Sequence, residues 1–99
     1  MATLCAVVRT RGDAWQASLG LEEQPQWPEH AAFMNGLHRE GFIVVGGPLE
    51  GTPNVLLIVR AHSAEEIVHR FQVDPWTSRD LLRVSSVTPW TLRLGSLPE

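Results

Sequence analysis

Two residues in this sequence have the side-chain chemistry of an acid–base pair. His30 lies in QWPEHAAFMNGLHREG, residues 26–41, whose apolar residues recur at the spacing of a helix. Its imidazole falls inside the apolar stripe, whose other members are Trp27, Ala31, Met34 and Leu37. Asp74 is the strongest acidic candidate, because the following Pro75 restricts it to extended geometry just after a second helical pattern. A carboxylate within hydrogen-bond reach of an imidazole fixes its tautomer and raises its basicity, as a general base requires.

Both residues also have ordinary structural explanations. A histidine on an apolar face is often a partly buried side chain whose nitrogens are satisfied by a carbonyl or a carboxylate. An Asp-Pro pair is common in turns, and sequence spacing does not show that His30 and Asp74 meet. From the residues alone, an acid–base pair is one hypothesis beside these two.

The remaining reactive side chains point to no further chemistry. His62 precedes a predicted helix cap, His69 falls on the polar face of a helix, and His38 lies one turn after Met34. The single cysteine, Cys5, lies in the apolar run LCAVV, which predicts a buried thiol rather than a disulfide or a zinc ligand. The run VGGPLEG lacks the spacing of a dinucleotide-binding fingerprint. We therefore expect neither a metal nor an organic cofactor.

Four predicted strands form the framework around these residues. Apolar runs rich in β-branched residues predict strands at 3–9, 42–46 and 55–60. An alternating pattern in LLRVSSVTPWTLRL predicts a fourth strand, either long or broken at Pro89.

Two helices separate the strands. The first opens at Gln26 or Trp27 and ends at Gly41. The second, SAEEIVHRFQ, begins with Ser63 as its cap and has Glu66 three residues later, which is a capping box. The run DPWTSRD after it is expected to hold one short turn.

The element order βαββαβ predicts an α+β, ferredoxin-like fold with a four-stranded antiparallel sheet. The 99 residues form one domain, 1–99, with its core over about 3–94. Two helices cover only one face of such a sheet, while VLLIVR (55–60) is apolar on both faces. We therefore expect the second face to pack on the sheet of an identical subunit, giving a homodimer.

Composition limits the other partners. The net charge is −3, and the basic residues, all arginines, form no cluster, which argues against nucleic-acid binding. No apolar run approaches the ~20 residues that a membrane span needs, and the N-terminus lacks a secretion signal pattern. These features predict a soluble, cytoplasmic protein that binds neither nucleic acid nor membranes.

Several motifs, in their order, resemble a known family. The segment WPEHAAFMNGLHREGFIVVGGPL, then DPW, then a strand ending in TPWTL resembles the YCII-related (YciI-like) proteins over residues 3–94. The shared motifs are H-x-x-F-M in the first helix, G-G-P-L after the second strand and D-P-W after the second helix. The segment 10–25, which contains Trp15, is longer than in the shortest members, and we expect it to form a lid or a pocket wall.

The resemblance implies a dimeric α/β barrel, in which two ferredoxin-like sheets face each other. The paired His and Asp of the family fall on His30 and Asp74, and the wider fold group includes isomerases, lyases and monooxygenases that generally act without a metal. We therefore expect a small-molecule enzyme in which His30 abstracts a proton and Asp74 orients it, with isomerisation or elimination as the reaction. The expected substrate-binding residues are Trp27, Phe33, Met34, Gly46, Gly47, Pro48 and Trp76.

Two alternatives to this enzyme remain open. One is a non-catalytic, dimeric metabolite-binding or accessory module, with His30 and Asp74 as ligand contacts. The other is a pair that only stabilises the mouth of the barrel.

Overall fold

The chain forms an α+β structure around one four-stranded antiparallel sheet, in a computed structural model that describes residues 2–97. The sheet order is β2-β3-β1-β4, an arrangement compatible with the predicted ferredoxin-like fold. Each predicted strand is present; the first begins at the predicted residue, and the other ends of the first three strands differ from the prediction by one or two residues. The strands are β1 (Thr3–Arg11), β2 (Ile43–Pro48), β3 (Asn54–Ala61) and β4 (Leu82–Pro89).

Three α-helices and one short 3-10 turn, Leu21–Glu23, connect the strands. The α-helices are α1 (Trp27–Arg39), α2 (Ala64–Phe71) and α3 (Pro75–Ser78), so the expected turn after α2 is a helix of four residues. Gly41, with a φ of 84°, follows α1 in the left-handed region that favours glycine, which explains why this helix stops there.

The predicted capping box of α2 is present in a displaced form. The Ser63 hydroxyl accepts a hydrogen bond from the Glu66 backbone N–H at 3.1 Å, as expected for a cap. The Glu66 carboxylate, however, accepts from the His62 N–H at 2.7 Å rather than from that of Ser63. The predicted start of α2 is confirmed. The N–H that donates to the Glu66 carboxylate belongs to the residue before the cap, whereas in a standard capping box it belongs to the cap residue itself.

The core lies between the helices and one face of the sheet. Odd-numbered residues of β1 and β3 point to the helices, and Ile67 and Phe71 of α2 pack on them with no exposed surface. Burying one such side chain stabilises the fold by roughly 1.5–3 kcal/mol. The strand residues in this row are Cys5, Val7, Leu57, Val59 and Ala61, so the predicted burial of the cysteine is confirmed.

A bulge alters the alternation predicted for β4. Ser86 pairs with Val8, but Val84 pairs with Arg9, so one extra residue lies between the two pairs. Val84 and Val87 consequently both pack against the core, although strict alternation would place them on opposite faces. The strand ends at Pro89, which agrees with the broken form of the prediction.

Even-numbered residues of β1 and β3 form the face opposite the core, here called the open sheet face. This face carries apolar side chains at its centre, of which Ile58 is buried and the others are half-buried, and Arg60 of β3 is exposed. Its central residues are Leu4, Ala6, Val8, Leu56 and Ile58. The expectation that β3 is apolar on both faces is therefore met.

Candidate active site

His30 and Asp74 lie in direct contact at one end of the sheet. The Nδ1 atom of His30 is 2.9 Å from each carboxylate oxygen of Asp74, although 44 residues separate the two in sequence. His30 lies in the first turn of α1 and is 6% exposed, so its predicted inward orientation is correct. The two candidate residues thus form the hydrogen-bonded pair that general-base chemistry requires.

The Asp74 carboxylate is held by its position at the start of α3. It is the N-cap of this helix, with Pro75 as the first helical residue, and it accepts a hydrogen bond from the Trp76 N–H at 3.0 Å. The side chain has no exposed surface. The turn-forming role foreseen for an Asp-Pro pair is therefore real, and the same carboxylate also binds His30.

Arg9 is a third member of the site that the sequence did not reveal. Its Nη1 donates to Asp74 Oδ2 at 2.7 Å, and its Nη2 donates to Thr77 Oγ1 at 2.9 Å. The guanidinium also lies over the Phe71 ring at 4.8 Å and is fully buried. One signal was available: Arg9 continues the inward row of Cys5 and Val7 by strand parity.

The pKa values of Asp74 and Arg9 are both shifted within this cluster. Burial by itself raises the pKa of Asp74, but hydrogen bonds from His30 and Arg9 outweigh this and hold the pKa below its ordinary value. Burial lowers the pKa of Arg9, and the contact with Asp74 opposes this fall. Asp74 is therefore an ionised acceptor at neutral pH, so the proton in its contact with His30 belongs to Nδ1.

Trp76 fixes the plane of the imidazole. The His30 ring stacks on the indole, with centroids 3.8 Å apart and planes within 5° of parallel. The indole N–H donates to the Pro25 carbonyl at 2.7 Å, which holds the tryptophan in turn. With stacking on one side and Asp74 on Nδ1, the ring has little freedom to rotate.

The other nitrogen of His30 is available to a ligand. Within residues 2–97, the only buried side-chain polar atom without a hydrogen-bond partner is Nε of Arg9. Among the same residues His30 Nε2 has no hydrogen-bond partner either, and since Nε of Arg9 is the only buried atom of this kind, Nε2 is not fully enclosed. His30 lines a cavity of about 260 Å³. In a neutral ring with the proton on Nδ1, Nε2 carries the lone pair and is the nitrogen that can accept a proton.

Most of the predicted substrate-binding residues line this cavity, which lies between the start of α1 and the ends of the strands. Phe33 is the exception, since it packs towards the core with its ring 6.4 Å from that of Phe71. Gly46 lies so close to β3 that a Cβ atom would meet the end of the Leu57 side chain and come within 3.1 Å of the Leu56 carbonyl oxygen, so a larger residue would require the buried Leu57 to shift. The predicted residues in the lining are Trp27, Met34, Gly46, Gly47, Pro48 and Trp76.

The segment between β1 and α1 forms part of the cavity wall, through Trp15 and Leu21. The Trp15 indole meets Trp76 edge to face, with ring centroids 5.6 Å apart. The buried Gln24 amide donates to the Gln16 and Leu19 carbonyls at 2.8 and 3.1 Å, and its oxygen accepts from the Gln16 N–H. These bonds order the segment as a pocket wall.

The other histidines lie outside this cavity. His38 binds the Ile43 carbonyl through Nδ1 at 2.9 Å, a contact that joins the end of α1 to β2. His62 and His69 are exposed. In the described part of the chain, no three His, Cys, Asp or Glu side chains are grouped so that they could hold a metal ion.

The sequence matches no protein-family model and no curated protein. None of the helices within residues 2–97 has the length and apolar character needed to cross a membrane. The fold and the site therefore define the class: an α+β chain with a buried Arg–Asp–His cluster beside an apolar cavity.

Proposed function

We propose that this protein is a small-molecule enzyme in which His30 acts as a general base through Nε2. One observation carries the proposal: an ionised Asp74 holds Nδ1, while Nε2 is left to an apolar cavity. A satisfied core imidazole uses both of its nitrogens, whereas within residues 2–97 only Nδ1 of His30 has a hydrogen-bond partner.

The step that fits this geometry is abstraction of a proton from a carbon beside an electron-withdrawing group. Nε2 takes the proton, and the electron pair of the C–H bond stays on the substrate as an enolate-like anion. The imidazolium that forms is stabilised by the negative charge of Asp74. Isomerisation follows if His30 returns the proton to another carbon, whereas elimination follows if a leaving group departs with its bonding pair.

The proposal also gives the backbone at Gly46 and Gly47 a role, which is to stabilise the negative charge that develops on the substrate. Both residues line the same cavity as His30. Because β2 is, within residues 2–97, an edge strand paired only with β3, consecutive N–H groups point to opposite sides, and only one of these two N–H groups can donate to an oxyanion.

We further propose that the chain is a YciI-like protein and a homodimer of the dimeric α/β barrel type. The motifs around His30 and Asp74 support the family assignment, as does the βαββαβ order. The open sheet face supports the dimer, because a paired sheet would cover its apolar centre.

Hydrogen–deuterium exchange in D₂O tests the base without knowledge of the product. A panel of small carbon acids is incubated with the protein, and loss of the C–H signal is followed by NMR. We expect exchange of at least one compound with the native chain and with the control His69→Gln, and none with His30→Gln. Equal exchange by His30→Gln contradicts the proposal. A panel compound that binds tightly and is recovered unexchanged identifies a binding module instead.

A further inference from the structure

The charged side chains at the cavity have one sign. Among residues 2–97, sixteen line this cavity, and they include Arg9 and Arg11 but no aspartate or glutamate. The charge of Arg9 is neutralised by its ion pair with Asp74, in which Nη1 lies 2.7 Å from Oδ2. Arg11 forms no ion pair within residues 2–97, and its guanidinium lies 4.5 Å from the centre of the Trp15 ring. The cavity wall is thus cationic in a chain whose net charge is −3.

Aromatic rings form much of the same wall. Trp15 and Trp27 are half-buried, so each leaves part of its indole open, and both lie within 6 Å of the Trp76 ring centre. Indole faces favour flat, apolar partners through stacking and edge contacts. An apolar cavity of about 150 Å³ holds benzene, so about 260 Å³ has room for a ring with a substituent.

We propose that the ligand of this cavity is a small aromatic anion, such as an aryl carboxylate. Its ring lies among the indoles of Trp15 and Trp27, and its anionic group pairs with the Arg11 guanidinium at the mouth of the cavity. With its anionic group bound at Arg11, the ligand places its carbon atoms beside His30 Nε2. This assignment rests on the proposed function, since it takes the cavity beside His30 as the substrate site.

Equilibrium binding tests the ligand class separately from catalysis. Phenylacetate, phenylacetamide and acetate are titrated against the native chain, with calorimetry and tryptophan fluorescence as readouts. We expect phenylacetate to bind about tenfold more tightly than the amide, as one charge-assisted hydrogen bond would give. Acetate is expected to bind more weakly still, because it lacks the ring.

Three variants locate the preference for an anion. Arg11→Gln is expected to bind phenylacetate and phenylacetamide equally, whereas Arg39→Gln, at the far end of α1, keeps the tenfold ratio. His30→Gln also keeps the ratio, so loss of proton abstraction and loss of anion recognition are distinguished. The ligand class is wrong if the native chain binds amide and anion equally, if Arg11→Gln retains the ratio, or if phenylacetate does not bind saturably.

Discussion

The Asp74→Asn substitution is expected to destabilise the fold strongly, because Asp74 is surrounded by donors. Its two oxygens accept from Arg9 Nη1, His30 Nδ1 and the Trp76 N–H, all within 3.0 Å. An asparagine of the same shape has one carbonyl oxygen and one NH₂ group, so at least one donor of the site meets another donor. It also leaves the Arg9 guanidinium buried without a counter-charge.

The expected magnitude follows from the burial of this pair. Removing one partner of a buried ion pair costs about 3–5 kcal/mol, a large share of the roughly 5–15 kcal/mol that stabilises a domain of this kind. For a chain of 99 residues this loss lowers Tm by roughly 12–40 °C. Urea unfolding followed by tryptophan fluorescence measures the loss at a fixed temperature.

Glu40→Gln is the matched control for this experiment. It makes the same carboxylate-to-amide change in the ion pair of Glu40 with Arg70, where the glutamate side chain is 57% exposed. Surface pairs contribute about 0–1 kcal/mol, so this variant is expected to unfold near the native midpoint. A loss for Asp74→Asn no larger than that for Glu40→Gln would refute the description of a buried, coupled Arg–Asp–His cluster.

Three further outcomes follow from the same structure. Because the pKa of Asp74 is lowered in the folded chain, its contribution to stability is present above about pH 4 and is lost as pH falls through the folded value; the urea midpoint should therefore fall more steeply with acid in the native chain than in Asp74→Asn. Gln24→Leu removes three hydrogen bonds from the pocket wall; we expect a loss of about 1–3 kcal/mol and new proteolytic cleavage within residues 12–25, and uncleaved protein with native stability would contradict this. Leu56→Asp places a charge on the open sheet face; light scattering is expected to give twice the chain mass for the native protein and the monomer mass for the variant, and a monomeric native protein would disprove the homodimer.

The elements could be predicted from the sequence because their signals are local. Helical spacing placed His30 inside, and the Ser63–Glu66 pair located the start of α2, both within one or two turns of chain. The contact between His30 and Asp74, in contrast, has no local signal in the sequence. It joins two helices across 44 residues, and only the resemblance gave a reason to pair them.

Arg9 and the bulge in β4 could not be predicted because tertiary pairing determines both. An arginine near the end of an apolar strand is usually solvated, and its carboxylate partner lies 65 residues away. The extra residue at Ser85 becomes evident only from the register of β4 on β1. Phe33 has the spacing of a pocket residue, yet the position of Phe71 directs it to the core.

The proton on His30 tests the central claim most directly. Nitrogen-15 NMR of histidine-labelled protein near neutral pH distinguishes a protonated ring nitrogen from one with a free lone pair, and His30→Gln identifies the signals of His30. We expect a proton on Nδ1, bound to Asp74, and a bare Nε2 able to accept a proton from substrate. A proton on Nε2, in a neutral ring or in an imidazolium, would contradict the role of His30 as the base.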